Sequence, residues 1–251
     1  MIRAIILLLL IILFLILSLP VVLFEVLLAK KNKSLADRQA FVIIQMVFRG
    51  LLKICGVKMY ASGQENIPED EPVLFVGNHR SYFDILVCYV MMKRPTGFVA
   101  KKEIQKIPLL PLWMDRISCL FLDRDNIKEG LKTILKAIEY VKSGISIFIY
   151  PEGTRGDATS SLDMMEFHEG SLKIAQKAGC KVIPVSIYGS ANIFEKHMPY
   201  IKPSKVVIHF GEPVDIKTLP EEYKKKPGLY LKESIYTELK RMKNQYTDIE
   251  D

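Results

Sequence analysis

The chain has 251 residues, of which 49% are hydrophobic and 25% charged, a balance that argues against disorder and supplies one sizeable core with room for an appendage. Its formal charge of +7 and pI near 9.1 raise nucleic acid as a partner. No zinc, RNA-binding or helix-turn-helix signature accompanies the charge, however, and anionic lipid headgroups account for it more simply. Four cysteines, Cys55, Cys88, Cys119 and Cys180, are scattered without C-x-x-C spacing. That spacing argues against a disulfide framework or a zinc site, fits a reducing cytosol, and leaves the thiols as small buried hydrophobes.

Residues 4–24 carry no charge, a run above the roughly 18 residues that suggest a membrane helix. A secretory signal peptide is the alternative, because Arg3 precedes the run, but its apolar region spans only about 7 to 15 residues and no Ala-x-Ala site follows here. The expectation is a retained membrane anchor over residues 1–33, which Pro20 can bend so that it enters a single leaflet. Lys30, Lys31 and Lys33 outweigh Arg3, so the positive-inside rule places the rest of the chain on the cytoplasmic face.

Residues 34–58 read as an amphipathic helix. Ser34-Leu35-Ala36-Asp37 resembles a helix-start box, and Gln45, Arg49 and Lys53 recur every four residues among Phe41, Val42, Ile44, Val47, Phe48, Leu51 and Leu52. Such a helix either lies in the headgroup layer with its apolar side down or packs that wide side on the core. The neighbouring anchor favours the interface.

Residues 59–251 form the main domain. Short apolar runs at 73–76, 97–100, 118–122, 145–150, 182–187 and 206–210 read as strands, and helical periodicity at 85–92, 126–142, 170–177 and 229–243 alternates with them. Alternation of this kind predicts an α/β layer structure with a largely parallel sheet flanked by helices. An apolar stretch at 107–114 behind Lys101, Lys102 and Lys106 carries Trp113, which suits a lipid interface, an acyl tunnel or a buried core equally.

Two strings then fall where a strand ends, the place where open α/β sheets bind ligands. In Asn78-His79-Arg80-Ser81-Tyr82-Phe83-Asp84, the Asp84 carboxylate can fold back from the first turn of a helix to the His79 imidazole, fix its tautomer and make it a base; the plainer reading is a helix-start pairing. No protein nucleophile is needed if the substrate brings a hydroxyl. In Tyr150-Pro151-Glu152-Gly153-Thr154-Arg155, the glycine admits close backbone approach, Thr154 can donate, and Arg155 offers a planar fork for phosphate. Arg124 ends another predicted strand as a second cation. Glu152 is read as orienting the arginines or the acceptor rather than as a second base. There is no G-x-x-x-x-G-K-[ST] loop and no carboxylate cluster for Mg²⁺, so a phosphatase or NTPase is the weaker reading and no metal is expected.

Across residues 73–185 the chain resembles the glycerolipid acyltransferase superfamily, and within it the 1-acylglycerol-3-phosphate acyltransferases. The resemblance rests on Asn78, His79, Ser81 and Asp84; on Lys101-Lys102-Glu103 leading through Pro108; on Phe121-x-x-Arg124; on Pro151-Glu152-Gly153-Thr154-Arg155; and on Val182-Ile183-Pro184-Val185. Two positions depart from it: Pro111 stands where a glycine is expected, and His168 where a lysine is expected beside Phe167. The resemblance implies an α/β fold, His79 as general base with Asp84 as its partner, and Arg124, Glu152, Gly153, Thr154 and Arg155 around the acceptor phosphate. It also implies supporting roles for Asn78, Ser81 and Lys102, and Pro184 on the acyl side.

The activity so implied moves a fatty acyl group from a thioester, acyl-CoA or acyl carrier protein, to the free hydroxyl of lysophosphatidic acid, with no cofactor beyond that co-substrate and membrane lipids as surroundings. Glycerol 3-phosphate or another lysophospholipid is the alternative acceptor. A silent membrane lipid-binding protein is the alternative of a different class, and its marker would be loss of His79, Asp84 or Arg155, all of which are present.

Overall fold

The computed structural model describes residues 1–156 and 160–249. The uncharged N-terminus forms two helices, α1 (Ile2–Leu17) and α2 (Leu19–Lys31), bent by 51° at Ser18. Pro20 sits in the first turn of α2, where its missing N–H is no loss. The single anchor helix expected over residues 1–33 is therefore a bent pair. Among the described residues no single helix is long and apolar enough to cross a membrane, although the pair together meets the requirement of length and composition. Ile2, Leu8, Leu9, Leu17, Phe24 and Leu27 are exposed, while Leu15 and Val22 turn into the core.

Helix α3 (Lys33–Cys55) starts on Asn32, whose side chain accepts from the Leu35 N–H at 3.1 Å, and ends at Gly56 in the left-handed region, φ 74°. The cap is thus Asn32 rather than the Ser34 box, and Asp37 instead accepts from Arg116 Nη2 at 3.0 Å. Two of the three polar-stripe residues, Gln45 and Arg49, bond to the protein itself, while Lys53 is exposed. Gln45 Nε2 donates to the Tyr89 and Met92 carbonyls at 3.1 and 2.9 Å, and Arg49 Nη2 donates to the Val90 carbonyl at 3.2 Å. These carbonyls lie at the C-terminal end of α4 (Phe83–Tyr89), where a helix leaves its last acceptors without intrahelical donors. Ala36, Ala40, Phe41, Ile44, Leu52 and Cys55 are buried around that seam, and Val42 and Met46 face outward.

The strands are β1 (Lys58–Ser62), β2 (Leu74–Gly77), β3 (Thr96–Lys101), β4 (Leu120–Leu122), β5 (Ser146–Ile149), β6 (Val182–Tyr188) and β7 (Lys205–Phe210), ordered β1-β7-β6-β2-β5-β3-β4 in one sheet. All pairings are parallel except β6 with β7. Six of these strands coincide with the apolar runs of the sequence; β1, mostly exposed, has no such run. The remaining helices are α5 (Leu110–Arg116), α6 (Ile127–Lys142), α7 (Lys173–Ala178), α8 (Glu221–Lys224) and α9 (Pro227–Gln245). Asn126 caps α6 by accepting from Lys128 N and Glu129 N, and the predicted helix at 170–177 begins as a 3-10 turn, Glu169–Leu172, before α7.

Alternation along the strands feeds two cores. Phe75, Phe98 and Phe148 stack on one face, with centroids 5.8 Å apart for Phe75–Phe148 and 4.8 Å for Phe98–Phe148, and join Leu15, Val22, Phe41 and Tyr89 from the N-terminal helices and α4. Leu74, Val76, Ile147 and Ile149 point the other way, to Ala137 of α6, Ile174 of α7 and Leu231, Ile235 and Leu239 of α9. Each such side chain contributes roughly 1.5–3 kcal/mol on burial, which is why the central strands are apolar on both faces. Cys55, Cys88 and Cys119 are buried within this packing, and burial pushes the Cys119 thiol up to about 12.

Candidate active site

Strand β2 is the middle of three parallel strands, with β5 on one side and β6 on the other, and all three end on the same edge of the sheet. The two strings of the sequence follow β2 and β5 directly, so the topology makes them neighbours although they are far apart in the chain. Asn78, fully buried, stitches the β2 end to β6: its Nδ2 donates to the Ile187 carbonyl at 2.9 Å and its Oδ1 accepts from the Ile187 N–H at 2.8 Å.

His79 Nδ1 lies 2.9 Å from Asp84 Oδ2. The same Asp84 oxygen accepts from the backbone N–H groups of Arg80 at 2.7 Å and Ser81 at 2.8 Å, so the carboxylate folds back over the start of α4 and is fully buried. An oxygen that already accepts from two N–H groups is oriented for a third donor, which puts the proton on Nδ1 and leaves Nε2 as the accepting nitrogen. The imidazole is further fixed by Tyr150, whose ring stacks on it with centroids 4.1 Å apart and 15° between planes.

Glu152 is buried, and both of its oxygens are taken by backbone donors: Oε1 accepts from His79 N at 2.7 Å and Oε2 from Met165 N at 2.9 Å. Expected to orient the arginines or meet the acceptor, it instead holds the backbone of the candidate base. Burial raises its carboxyl above the ordinary range, against the pull of those two N–H groups. Gly153 adopts φ 76°, and a Cβ there would come within 3.1 Å of the His168 ring. The loop then crosses back, with Gly156 N donating to the His79 carbonyl at 3.0 Å. Thr154 is exposed at its tip. Arg155 lies over the Tyr82 ring, its Cζ 3.4 Å from the centroid.

The remaining candidates lie farther out. Arg124 is exposed in the turn after β4, at the sheet margin, three strand spacings or about 14 Å from the end of β2. Lys102, just past β3, donates to Asp123 Oδ2 at 2.6 Å on the same margin. Pro184 and Gly211 line a cleft of about 470 Å³ with Tyr230 and Glu233 of α9, on the sheet face away from the N-terminal helices. Of the two departures, Pro111 falls in the first turn of α5, after Leu109 at φ 64°, and the exposed His168 places its ring against Gly153. Trp113 is buried: its Nε1 donates to Ser18 Oγ at 2.8 Å, and its ring lies 5.5 Å from that of Phe14.

One contributor was not visible in the sequence. Glu195, in the 3-10 turn Glu195–His197 beyond β6, accepts from Ser81 Oγ at 2.6 Å and from Tyr82 N at 2.8 Å, and stands 3.5 Å from Arg155 Nη1. Burial raises its carboxyl, opposed by the Ser81 and Tyr82 hydrogen bonds. Nothing in its neighbourhood, Asn192-Ile193-Phe194-Glu195, marks it as more than a surface acid.

The arrangement is a buried carboxylate orienting an imidazole beside a loop that carries a half-exposed guanidinium, which suits deprotonation of a hydroxyl near an anion. The chain that carries it is similar to known proteins. A 1-acyl-sn-glycerol-3-phosphate acyltransferase of Borreliella burgdorferi is 29% identical over 206 residues, covering 82% of this chain and 81% of that protein. A probable enzyme of the same name from Mycoplasma genitalium is 36% identical over 151 residues, 58% of this chain and 54% of its own. The crystal structure of the 1-acyl-sn-glycerophosphate (LPA) acyltransferase PlsC from Thermotoga maritima superposes with a TM-score of 0.82 at 26% identity, covering 96% of this chain and 95% of that one. The family model described as Acyltransferase matches residues 58–188, which hold His79, Asp84 and Arg155, and the chain belongs to that acyltransferase family.

Proposed function

We propose that the protein transfers a fatty acyl group from an acyl thioester to the sn-2 hydroxyl of 1-acylglycerol 3-phosphate, making phosphatidic acid, with His79 as the general base. The observation that carries this reading is the 2.9 Å contact between His79 Nδ1 and Asp84 Oδ2 beside the Arg155 loop. It is supported by the names of the relatives, each a 1-acyl-sn-glycerol-3-phosphate acyltransferase or probable one.

His79 Nε2 takes the hydroxyl proton as the oxygen attacks the thioester carbonyl. The C–O bond forms, the C–S bond breaks, and the proton passes to the departing thiolate of coenzyme A or the acyl carrier protein. Asp84 stabilises the imidazolium between those steps, an arrangement that contributes about 10²- to 10⁴-fold. Arg155 takes the acceptor phosphate, with Arg124 as a second, more distant cation, and Thr154 donates from the loop.

The bent pair α1–α2 sits in lipid, with the catalytic domain on the cytoplasmic face. Its exposed leucines and isoleucines support this, because an apolar surface of that extent marks a membrane or a partner. An acceptor with about fifteen methylenes would cost on the order of 12 kcal/mol to bring into water, so an enzyme held at the bilayer meets it where it resides.

The test is phosphatidate formation by the detergent-purified protein from 1-acylglycerol 3-phosphate and a labelled acyl thioester, offered on coenzyme A and on carrier protein, beside His79→Ala. Product from the native chain alone, with an unchanged melting temperature for the variant, is expected. Acylation of glycerol 3-phosphate or another lysolipid instead would move the acceptor, and product from His79→Ala at near-native rate would remove the base.

A further inference from the structure

Glu195 connects the two halves of the site. Its Oε2 accepts from Ser81 Oγ at 2.6 Å, while its Oε1 accepts from Tyr82 N at 2.8 Å and faces Arg155 Nη1 at 3.5 Å. Tyr82 closes the ring from below, its aromatic face 3.4 Å under the Arg155 guanidinium. Ser81 Oγ in turn accepts from Phe83 N at 3.0 Å. The start of the helix that orients His79 and the arginine of the neighbouring loop therefore share one carboxylate.

Arg155 itself is reached from solvent, with about a third of its side chain exposed, whereas the Glu195 side chain is 11% exposed. The carboxylate meets the guanidinium at Nη1, and part of the fork stays open to solvent. The separation of 3.5 Å is long for a charge-assisted bond, so Arg155 can tilt toward a second anion without Glu195 releasing Ser81 or Tyr82.

We propose that Glu195 is a positioning residue that sets where Arg155 holds the acceptor phosphate relative to His79. The assignment rests on the reading of Arg155 as the phosphate ligand. Ion pairing alone would make Glu195 a competitor of the phosphate; its two other hydrogen bonds make it a fixed post from which the guanidinium is aimed at the base.

Acceptor and thioester KM values, kcat and melting temperature of the native protein, Glu195→Ala, Glu195→Gln, Arg155→Ala and the Glu195→Ala/Arg155→Ala pair test this. Glutamine keeps an acceptor for Tyr82 N and Arg155 and can donate to Ser81 Oγ, so it should restore what alanine loses. Expected are an acceptor KM raised about tenfold in Glu195→Ala, within about threefold of native in Glu195→Gln, and a thioester KM unchanged in both, since a positioning contact is worth about 1.4 kcal/mol per tenfold. In the Arg155→Ala background the Glu195→Ala effect should vanish. An acceptor KM in Glu195→Ala equal to native, equal rises in both KM values, or an undiminished effect without Arg155 would each overturn the proposal. If Arg155→Ala alone leaves acceptor KM unchanged, the phosphate reading fails first; if it raises acceptor KM and Glu195→Ala does not, only the role of Glu195 fails.

Discussion

Tyr150 lies parallel to His79, ring against ring at 4.1 Å, and its buried hydroxyl has the Cys88 thiol for a neighbour in place of a strong acceptor. The ring and the hydroxyl therefore have separable effects. Tyr150→Phe keeps the stack and removes a poorly satisfied polar atom, a change that is nearly neutral or stabilising. Its kcat should stay within about threefold of native and its melting temperature should not fall. Tyr150→Leu removes the flat surface that sets the imidazole plane, and kcat should drop by about 10-fold or more with both KM values near native, as expected when only alignment for the reaction is lost. Steady-state kinetics on the two variants separate these outcomes.

Gly153→Ala meets two penalties at once. The left-handed φ of 76° costs a side-chain-bearing residue about 1–2 kcal/mol, and the new Cβ presses on the His168 ring at 3.1 Å. The imidazole is exposed and can swing away, so the backbone term dominates. Thermal unfolding should shift down by about 2–8 °C, at roughly 2–4 °C per kcal/mol for a chain of this size. Removing the ring with Gly153→Ala/His168→Ala should recover little of it.

Glu152 offers a pH signature. Its folded carboxyl titrates above its usual value because it is buried, so the folded state holds a proton over a pH range in which the unfolded chain has released it. The contribution to stability is fully present below the unfolded pKa of about 4.5 and declines as pH rises through the folded value, by about 1.4 kcal/mol for each unit of displacement. Glu152→Gln cannot titrate, and its amide NH₂ faces one of two N–H donors, a mismatch of about 1–3 kcal/mol. Urea unfolding at several pH values should show the variant less stable throughout, with the gap to the native protein narrowing as pH rises from 4.5. A constant gap would show that burial does not displace Glu152.

Gln45 serves the carbonyls of Tyr89 and Met92, and Arg49 that of Val90. Gln45→Leu preserves the volume and removes the donor, leaving the buried Met92 carbonyl without its partner and the Tyr89 carbonyl with only the Met92 N–H, at the end of the helix that carries Asp84. A loss of about 1–3 kcal/mol is expected in urea unfolding. A gain in stability would mean that the apolar seam, rather than the donors, holds α3 in place.

The α/β alternation was legible because the buried central strands are apolar and the amphipathic helices carry their own periodicity. Strand β1 was not, since Lys58–Ser62 is mostly exposed at the sheet margin and needs no apolar run. The Gln45 and Arg49 stripe was legible as polar, but hydropathy says nothing of what a polar group meets, and here these two meet helix-end carbonyls. His79 with Asp84, five residues apart, is local chemistry that a sequence displays. The tie from Glu195 to Ser81 spans 114 positions and exists only because β6 lies beside β2, so no pattern in the chain announced it.

The corner at Ser18 has a consequence for dissecting the molecule. Trp113 fastens it from α5, and Leu15 and Val22 lie in the same packed cluster as Tyr89 and Phe148. Removing residues 1–31 to obtain a lipid-free enzyme would strip one wall from the interior, strand the indole N–H, and uncover aromatic surface behind the helix that carries Asp84. The truncated protein should precipitate or swell rather than behave as a detached catalyst. In this fold the apolar N-terminal helices and the domain that carries His79 are one unit of packing, and neither can be purified away from the other.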